Sequence, residues 1–448
     1  MKNSFMAERV LYINVRPVWA RAPLLLLAAA ALAGSWYALR WGVGDTMAEY
    51  APVSYASDPT AGFETEEGAA RLAPDDPLAH LTLARLHRVS FDPDEIPRAL
   101  EEYERAAALA PNDYLVWTEM GSARASSGDV EGGVAALRRA VALAPNYAQP
   151  RWYLGNALLR AGRYDEAFAE LRRAADADPD RYRPQTFNLA WQIYNQDMPR
   201  VLDAVGRTPE ARAQLVGVLV GRGRLEDAFT VWSSLGAQEK RQQGGAGEGL
   251  ARALYNAGQY RRALQLLGEA GAAQDAAPER ISNGGFESEI GQPGKQLFQW
   301  QVTPAAGAQA VLDSRGAHGG RRALRLLFYS SGQVDFHNVS QTVAVEPSAR
   351  YRLTYFVRTD GVKTVATLYT LVSDAASEST ALGQSGAVPA ETNDWQQAAV
   401  EFTTGAKTEA VVVRLVRVPC PQETCPIYGK IWYDDFYLER SGGRPAAR

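Results

Sequence analysis

Four histidines, two cysteines and a scatter of acids are the groups this 448-residue chain offers for chemistry. His80, His87, His318 and His337 form no clustered pair that could begin a transition-metal site. No phosphate-cradling glycine loop, nucleophile elbow or His-Glu-x-x-His helix occurs. Paired carboxylates for glycoside hydrolysis need a set separation across a cleft, and no pair here is marked out by its spacing. Acids next to aromatic residues stand in two short stretches, "ISNGGFESE" at 281–289 and "IWYDDFYL" at 431–438. The first adds two glycines, and nothing in the preceding two hundred or so residues prepares for it.

The elements that position these residues begin with "APLLLLAAAALAGSWYAL", eighteen uncharged residues from Ala22 to Leu39. That length suffices for a membrane-spanning helix. Lys2, Arg9, Arg16 and Arg21 precede it with only Glu8 against them, while Trp36, Tyr37 and Trp41 gather at its far end. The positive-inside bias puts residues 1–21 in the cytoplasm and the bulk outside it, in the periplasm or an equivalent extracytoplasmic space. The alternative is secretion after cleavage near Ala33, in the small-x-small site Ala31-Leu32-Ala33. In either case export makes a disulfide between Cys420 and Cys425 the expectation for "VPCPQETCP". With 47 basic against 51 acidic side chains, a net charge of -4 gives no footprint for nucleic acid.

Between about residues 62 and 270 the chain repeats itself. "ALEEYERAAALAPND", "GVAALRRAVALAPNY" and "AFAELRRAADADPDR" start at Ala99, Gly133 and Ala167, each 34 residues after the last. Ala106, Ala140 and Ala174 share one frame position; Tyr103, Leu137 and Leu171 share another; Pro111, Pro145 and Pro179 share a third. Small residues let paired antiparallel helices approach, and a proline closes each second helix. A single hairpin cannot bury its apolar face, so the units must stack. This pattern resembles the tetratricopeptide repeat, with five to six units and residues 182–206 as a degenerate one. The resemblance implies a concave groove that binds a protein segment, and it places Trp152, Asn156 and Arg160 on the groove side of one helix.

After "GEAGAAQDAAPER" the period changes from 3.6 to 2. About nine or ten strands with no helix between them indicate an antiparallel sandwich. "NGGFE", "FQWQV", "QTVAVEPSARYRLTYFVRTDG" and "IWYDDFYL", in that order, resemble carbohydrate-binding modules with the galactose-binding-like jelly roll, across residues 279–440. That resemblance implies a structural calcium where first and last strands meet, with Glu287 and one of Asp434 and Asp435 as ligands. Strict alternation puts Asp434 on one face with Trp432, Phe436 and Leu438, the expected core face, and turns Asp435 the other way. Sugars are held by aromatic faces flanked by polar groups. The candidates are Tyr329, Phe336 and His337, then Phe356 and Arg358, and Tyr369.

The expected organisation is a multidomain chain: cytoplasmic segment 1–21, transmembrane anchor 22–41, linker 42–61, all-α hairpin repeats 62–270, linker 271–278, all-β jelly-roll sandwich 279–440 and tail 441–448. Its expected function is that of a non-catalytic, membrane-anchored extracytoplasmic adaptor. The repeats would bind a protein and the jelly roll a glycan, in polysaccharide export or envelope assembly. The alternatives are a glycan hydrolase or lyase with its own binding module, and a purely structural subunit of an envelope complex. The topology has a direct check: a reporter active only outside the cytoplasm, fused after Arg448, is expected to be active, and an inactive fusion would reverse the assignment.

Overall fold

The computed structural model describes residues 18–441 except 91, 207, 421 and 423, without the side chains of 18–20 and 93. Lys2, Arg9, Arg16 and the tail after residue 441 lie outside the described residues. The chain forms two compact units, residues 1–206 and 207–448.

The first unit opens with α1 (Val18–Ser57). Its residues 21–39 are exposed all round, and the helix is long and apolar enough to cross a membrane or to serve as a signal sequence. From Gly44 onward α1 acquires a buried stripe, with Ala48 and Ala51 packed away from solvent. That stripe meets α2 (Pro59–Leu72) and α3 (Pro77–Val89). Residues 42–61, expected as a linker, are therefore almost wholly helical. The reason is small-residue packing: a Cβ on Gly62 would fall 2.5 Å from Cα of Tyr55. Arg40, where burial starts, pairs with Asp75.

Helices α4 (Ile96–Leu109), α5 (Tyr114–Ser127), α6 (Val130–Leu143), α7 (Ala148–Arg160), α8 (Tyr164–Ala177), α9 (Pro179–Ile193) and α10 (Met198–Val205) complete this unit. With α3 they make four successive hairpins. Aspartates start the helices: Asp113 accepts from the Leu115 N–H at 2.8 Å and Asp129 from that of Gly132 at 3.0 Å. Each such cap stabilises by about 1 kcal/mol. The shared glycines allow close approach, since a Cβ on either Gly121 or Gly155 would lie 2.6 Å from the leucine of the facing helix, Leu137 or Leu171. The segment 182–206 is the α9–α10 hairpin, whose second helix has only 8 residues and whose turn places Asn195 and Gln196 at positive φ.

The second unit begins with α11 (Pro209–Gly221), α12 (Leu225–Ser233), α13 (Ala237–Gln242), α14 (Gly244–Asn256) and α15 (Tyr260–Ala270). Its strands are β1 (Gln301–Val302), β2 (Ala308–Asp313), β3 (Ala323–Ser330), β4 (Val339–Ala344), β5 (Arg350–Lys363), β6 (Leu368–Asp374), β7 (Ser377–Gln384), β8 (Glu391–Thr403), β9 (Ala410–Arg417) and β10 (Ile427–Arg440). They form two antiparallel five-stranded sheets, a first of order β1-β4-β9-β6-β7 and a second of order β2-β3-β10-β5-β8. Leu324, Tyr355, Tyr433, Val372 and Val413 fill the space between them.

The hairpin α14–α15 packs on the outer side of the first sheet. Tyr255 hydrogen-bonds Thr342 at 2.7 Å, and Tyr260 donates to the Ala375 carbonyl at 2.9 Å. Arg261 pairs with Glu346 at 2.6 Å. These contacts make the last helices and the sandwich one unit, with the segment 271–278 running beside them.

One buried acid in the first unit has a measurable consequence. Glu66 on α2 is fully buried, and neither carboxylate oxygen has a hydrogen-bond partner among the described residues. Burial, reinforced by the nearby Asp76, pushes its pKa from 4.5 up to about 8. The folded chain therefore keeps a proton that the unfolded chain has lost. Stability falls as pH rises, by about 1.4 kcal/mol per unit, across the interval from 4.5 to about 8. Glu66→Gln is expected to melt above the wild type at pH 8, with the difference shrinking toward pH 5. A constant difference across that range would show that Glu66 does not titrate there.

Candidate functional site

The last strand, β10, runs between β3 and β5, with Trp432 opposite both Arg325 and Arg358. Ile431 and Tyr433 point into the core. The register then shifts: Asp434 opposes Phe356, but Tyr437 opposes Thr354. One extra residue is accommodated in a bulge, where Asp435 takes φ 51. Phe436 and Leu438 return to the core beyond it. The expected alternation is thus corrected, for Asp434 shares the outer face with Trp432 and not the core face with Phe436 and Leu438. A one-residue bulge exchanges the faces of everything after it.

"NGGFE" lies beside this bulge. The Gly284 carbonyl accepts from the Phe436 N–H at 2.9 Å, and a Cβ on Gly284 would sit 2.2 Å from the Phe436 carbonyl oxygen. Only glycine fits so close to another backbone. Phe286 turns into the core against Trp300 at 5.2 Å. Glu287 points outward, and its Oε1 accepts from the N–H groups of Arg321 at 2.6 Å and Arg322 at 2.9 Å. Those bonds hold its pKa below the usual range.

Asp434 is fully buried beneath the same segment. Its Oδ2 accepts from the N–H groups of His318 at 2.8 Å and Gly319 at 3.2 Å, and its Oδ1 from that of Asp435 at 2.8 Å. Burial nevertheless leaves its pKa raised. Asp435 meets His318 Nδ1 at 2.7 Å. The three acids therefore converge on one loop, and backbone N–H groups point at the oxygens that a cation would need. No group of three His, Cys, Asp or Glu residues is placed to hold a metal ion among the described residues. Glu287 Oε1 and both Asp434 oxygens are taken by backbone N–H groups, and Asp435 by the His318 ring. They act as a hydrogen-bonded clasp on residues 318–322.

The clasped loop arranges the outer face of the second sheet. His318 stacks on Phe356 with ring centroids 3.6 Å apart and meets the edge of Trp395 at 5.5 Å. Trp432 is buried, donates to Asp313 at 3.0 Å and lies under the Arg358 guanidinium at 5.3 Å. Asp313, pushed up by burial, is held below the usual carboxylate range by this indole N–H, the Arg315 N–H and Arg325. Of the six expected sugar contacts, Phe356 and Arg358 come together here. Tyr329 lies farther along the same face, opposite Tyr428. Tyr369 belongs to the first sheet, and His337 lies exposed in the segment before β4. Phe336 is corrected to a core residue, 2% exposed and packed on Phe328 at 5.2 Å. Its segment is irregular, so alternation could not place it. His318, Trp395 and Trp432 were missed as members of this set, since they come from separate segments.

Comparison with known families fits this architecture. A tetratricopeptide-repeat family profile matches residues 91–148 and 118–182, and a carbohydrate-binding-domain profile matches residues 279–421. The chain thus joins a segment similar to tetratricopeptide repeats to one similar to a carbohydrate-binding domain. Both modules are of non-catalytic kinds. No curated protein matches the whole chain's sequence significantly. Among solved structures, MamA from Desulfovibrio magneticus RS-1 is 14% identical over 49% of this chain and 96% of its own, with TM-score 0.29. Pseudomonas aeruginosa PilF is 15% identical over 51% of this chain and 91% of its own, with TM-score 0.30. YrrB, titled a TPR protein with an unusual peptide-binding site, is 16% identical over 47% and 92%, with TM-score 0.25.

In the tetratricopeptide repeats, Trp152, Asn156 and Arg160 share one face of α7. Trp152 packs on Tyr182 at 5.0 Å, the Asn156 amide donates to the Trp152 carbonyl at 2.8 Å, and Arg160 is exposed. In the carbohydrate-binding domain, Cys420 and Cys425 form a disulfide, and Arg417 donates to the Cys425 carbonyl at 3.1 Å.

The clasp makes two testable demands. A Cβ on Gly320, already at φ +63, would lie 2.2 Å from Glu287 Oε1. Gly320→Ala is expected to lower stability by about 1–3 kcal/mol, and Glu287→Gln to lower the melting temperature as well. Chelator is expected to change neither the wild type nor the variants. A melting temperature that rises with added calcium, and loses that response in Glu287→Gln, would restore the ion.

Proposed function

We infer that this chain is a membrane-anchored adaptor outside the cytoplasm, using its repeats to hold a protein partner and its jelly roll to hold a glycan. Export or assembly of an envelope polysaccharide is the process that would use both modules and the tether. The observation that carries the reading is the asymmetry of the sandwich. The first sheet is occupied on its outer side by α14–α15 through Tyr255, Tyr260 and Arg261. The second sheet keeps a solvent-facing set of Phe356, Trp395, His318 and Arg358, with Tyr329 and Tyr428 beyond. Flat rings beside polar groups are what a pyranose needs, since its C–H face stacks while its hydroxyls hydrogen-bond.

On the repeat side, Arg160 and the α7 face of Trp152 and Asn156 are the proposed contacts for a partner segment. The exposed apolar length of α1 supports the tether, because residues 21–39 have no protein to pack against in the described structure.

A glycan array probed with the detergent-solubilised chain tests the central claim. Binding is expected to one class of polysaccharide and to fall about tenfold or more in Phe356→Ala and Trp395→Ala, a ring contact contributing roughly 1–2 kcal/mol. Tyr369→Ala, on the other sheet, is expected to bind as wild type. A blank array, or loss only in Tyr369→Ala, would refute the assignment.

A further inference from the structure

Arg358 stands at the centre of the outer face, opposite Trp432 on β10, and it is half-buried. Four acids near it are already engaged. Asp313 takes the Trp432 indole N–H and an Arg325 guanidinium at 3.1 Å. Asp360 pairs with Lys430 at 3.0 Å. Asp434 is filled by backbone N–H groups, and Asp435 by His318. Arg358 has a ring beneath it and no carboxylate partner among the described residues.

A partly desolvated cation is normally paired, and stacking on an indole leaves the guanidinium's N–H donors, which lie in its plane, unused. Gly316 lies close beside it. A Cβ on Gly316 would come within 3.3 Å of Trp432 Nε1 and 3.7 Å of Arg358 Nη1. On one side stands the His318–Phe356 stack with Trp395. On the other lie Lys430, also over Trp432 at 6.0 Å, and the cross-strand pair Tyr329 and Tyr428, 57% and 42% exposed, with Lys363 opposite Tyr428. The face therefore alternates aromatic surface with positive charge.

We propose that the glycan held here is acidic, a uronic-acid polysaccharide whose carboxylate is bound by the Arg358 guanidinium while a neighbouring sugar ring lies against Phe356 and Trp395. This rests on the glycan-binding reading and adds the substrate class. Charge complementarity is the reason: a planar guanidinium matches a carboxylate through two parallel hydrogen bonds, and a neutral sugar gives it no counter-charge. Lys363 adds a longer-range attraction that salt screens.

The test immobilises the full chain in detergent and measures binding of polygalacturonate, alginate and hyaluronate. Each polymer is compared with the same preparation after its carboxyl groups have been reduced to primary alcohols. A neutral polysaccharide panel and polyglutamate are run alongside. At least one uronate polymer is expected to bind, and to lose about tenfold or more in affinity on reduction, as the loss of a charged hydrogen-bonded pair implies. Arg358→Gln should lose a similar factor for the acidic form only, with an unchanged melting temperature, and Arg358→Lys should recover part of it. Equal binding of acidic and reduced forms, binding only to neutral polysaccharides, or an unaffected Arg358→Gln would overturn the acidic specificity while leaving glycan binding in place. Polyglutamate binding as tightly as the best uronate polymer would assign the face to acidic protein and overturn the proposal. Binding to no polysaccharide at all would end the glycan reading and the proposal together.

Discussion

The carboxylate of Asp434 has no exposed surface and no side-chain cation within ion-pair distance among the described residues, and left without hydrogen bonds it would cost several kcal/mol. Its three backbone N–H donors remove most of that cost, and two of them come from His318 and Gly319. Satisfying one acid therefore fixes a loop across the outer face of the second sheet. Glu287 fastens the far end of the same loop, and Asp435 orients the His318 ring. The stack of His318 on Phe356 and the position of Gly316 beside Trp432 and Arg358 follow from that fixation. Without the bulge at Asp435, Phe436 and Leu438 would turn out of the core onto the face of Asp434, and Phe436 would no longer pack against Phe286 and Trp300.

The helical half depends on a different constraint, the distance between helix axes. Glycine at 121 and 155 brings each first helix against the leucine of its own second helix, closer than any side chain would permit. Alanines at 106, 140 and 174 are fully buried at the equivalent place in three hairpins. The same economy of side-chain volume joins the far part of α1 to α2, and it turns a stretch expected as linker into a packed hairpin. The exposed and packed parts of α1 differ in partners rather than in helical character, because only the second lies against α2 and α3.

The two faces of the sandwich are unequal for a reason that lies outside the sandwich itself. Tyr255 and Tyr260 seat their hydroxyls on the first sheet and on the turn after β6, and this docks the last hairpin firmly. A jelly roll alone would offer two outer faces. Here one is a contact surface within the unit, and the proposed glycan face is the other.

Much of this was legible in the sequence by itself. A period of 34 with small residues and prolines at fixed places dictates stacked hairpins, since helical periodicity and proline geometry are local properties. The change to period 2 dictates a sandwich, the apolar run at 22–39 needs no partner to be recognised, and the glycines of "NGGFE" mark a backbone contact. Phe356 and Arg358 were legible as an aromatic and a cation on one strand face. What the tertiary structure alone decided is how distant segments meet. The bulge separated the face of Asp434 from that of Phe436 and Leu438, because alternation assumes an unbroken ladder and one inserted residue breaks it. Phe336 went to the core because its segment follows no ladder. His318, Trp395 and Trp432 joined Phe356 from three other segments of the chain, and no spacing within one segment records a contact made across strands. The clasp of carboxylates on backbone N–H groups belongs to the same class, for an N–H group carries no residue identity and leaves no mark in the sequence.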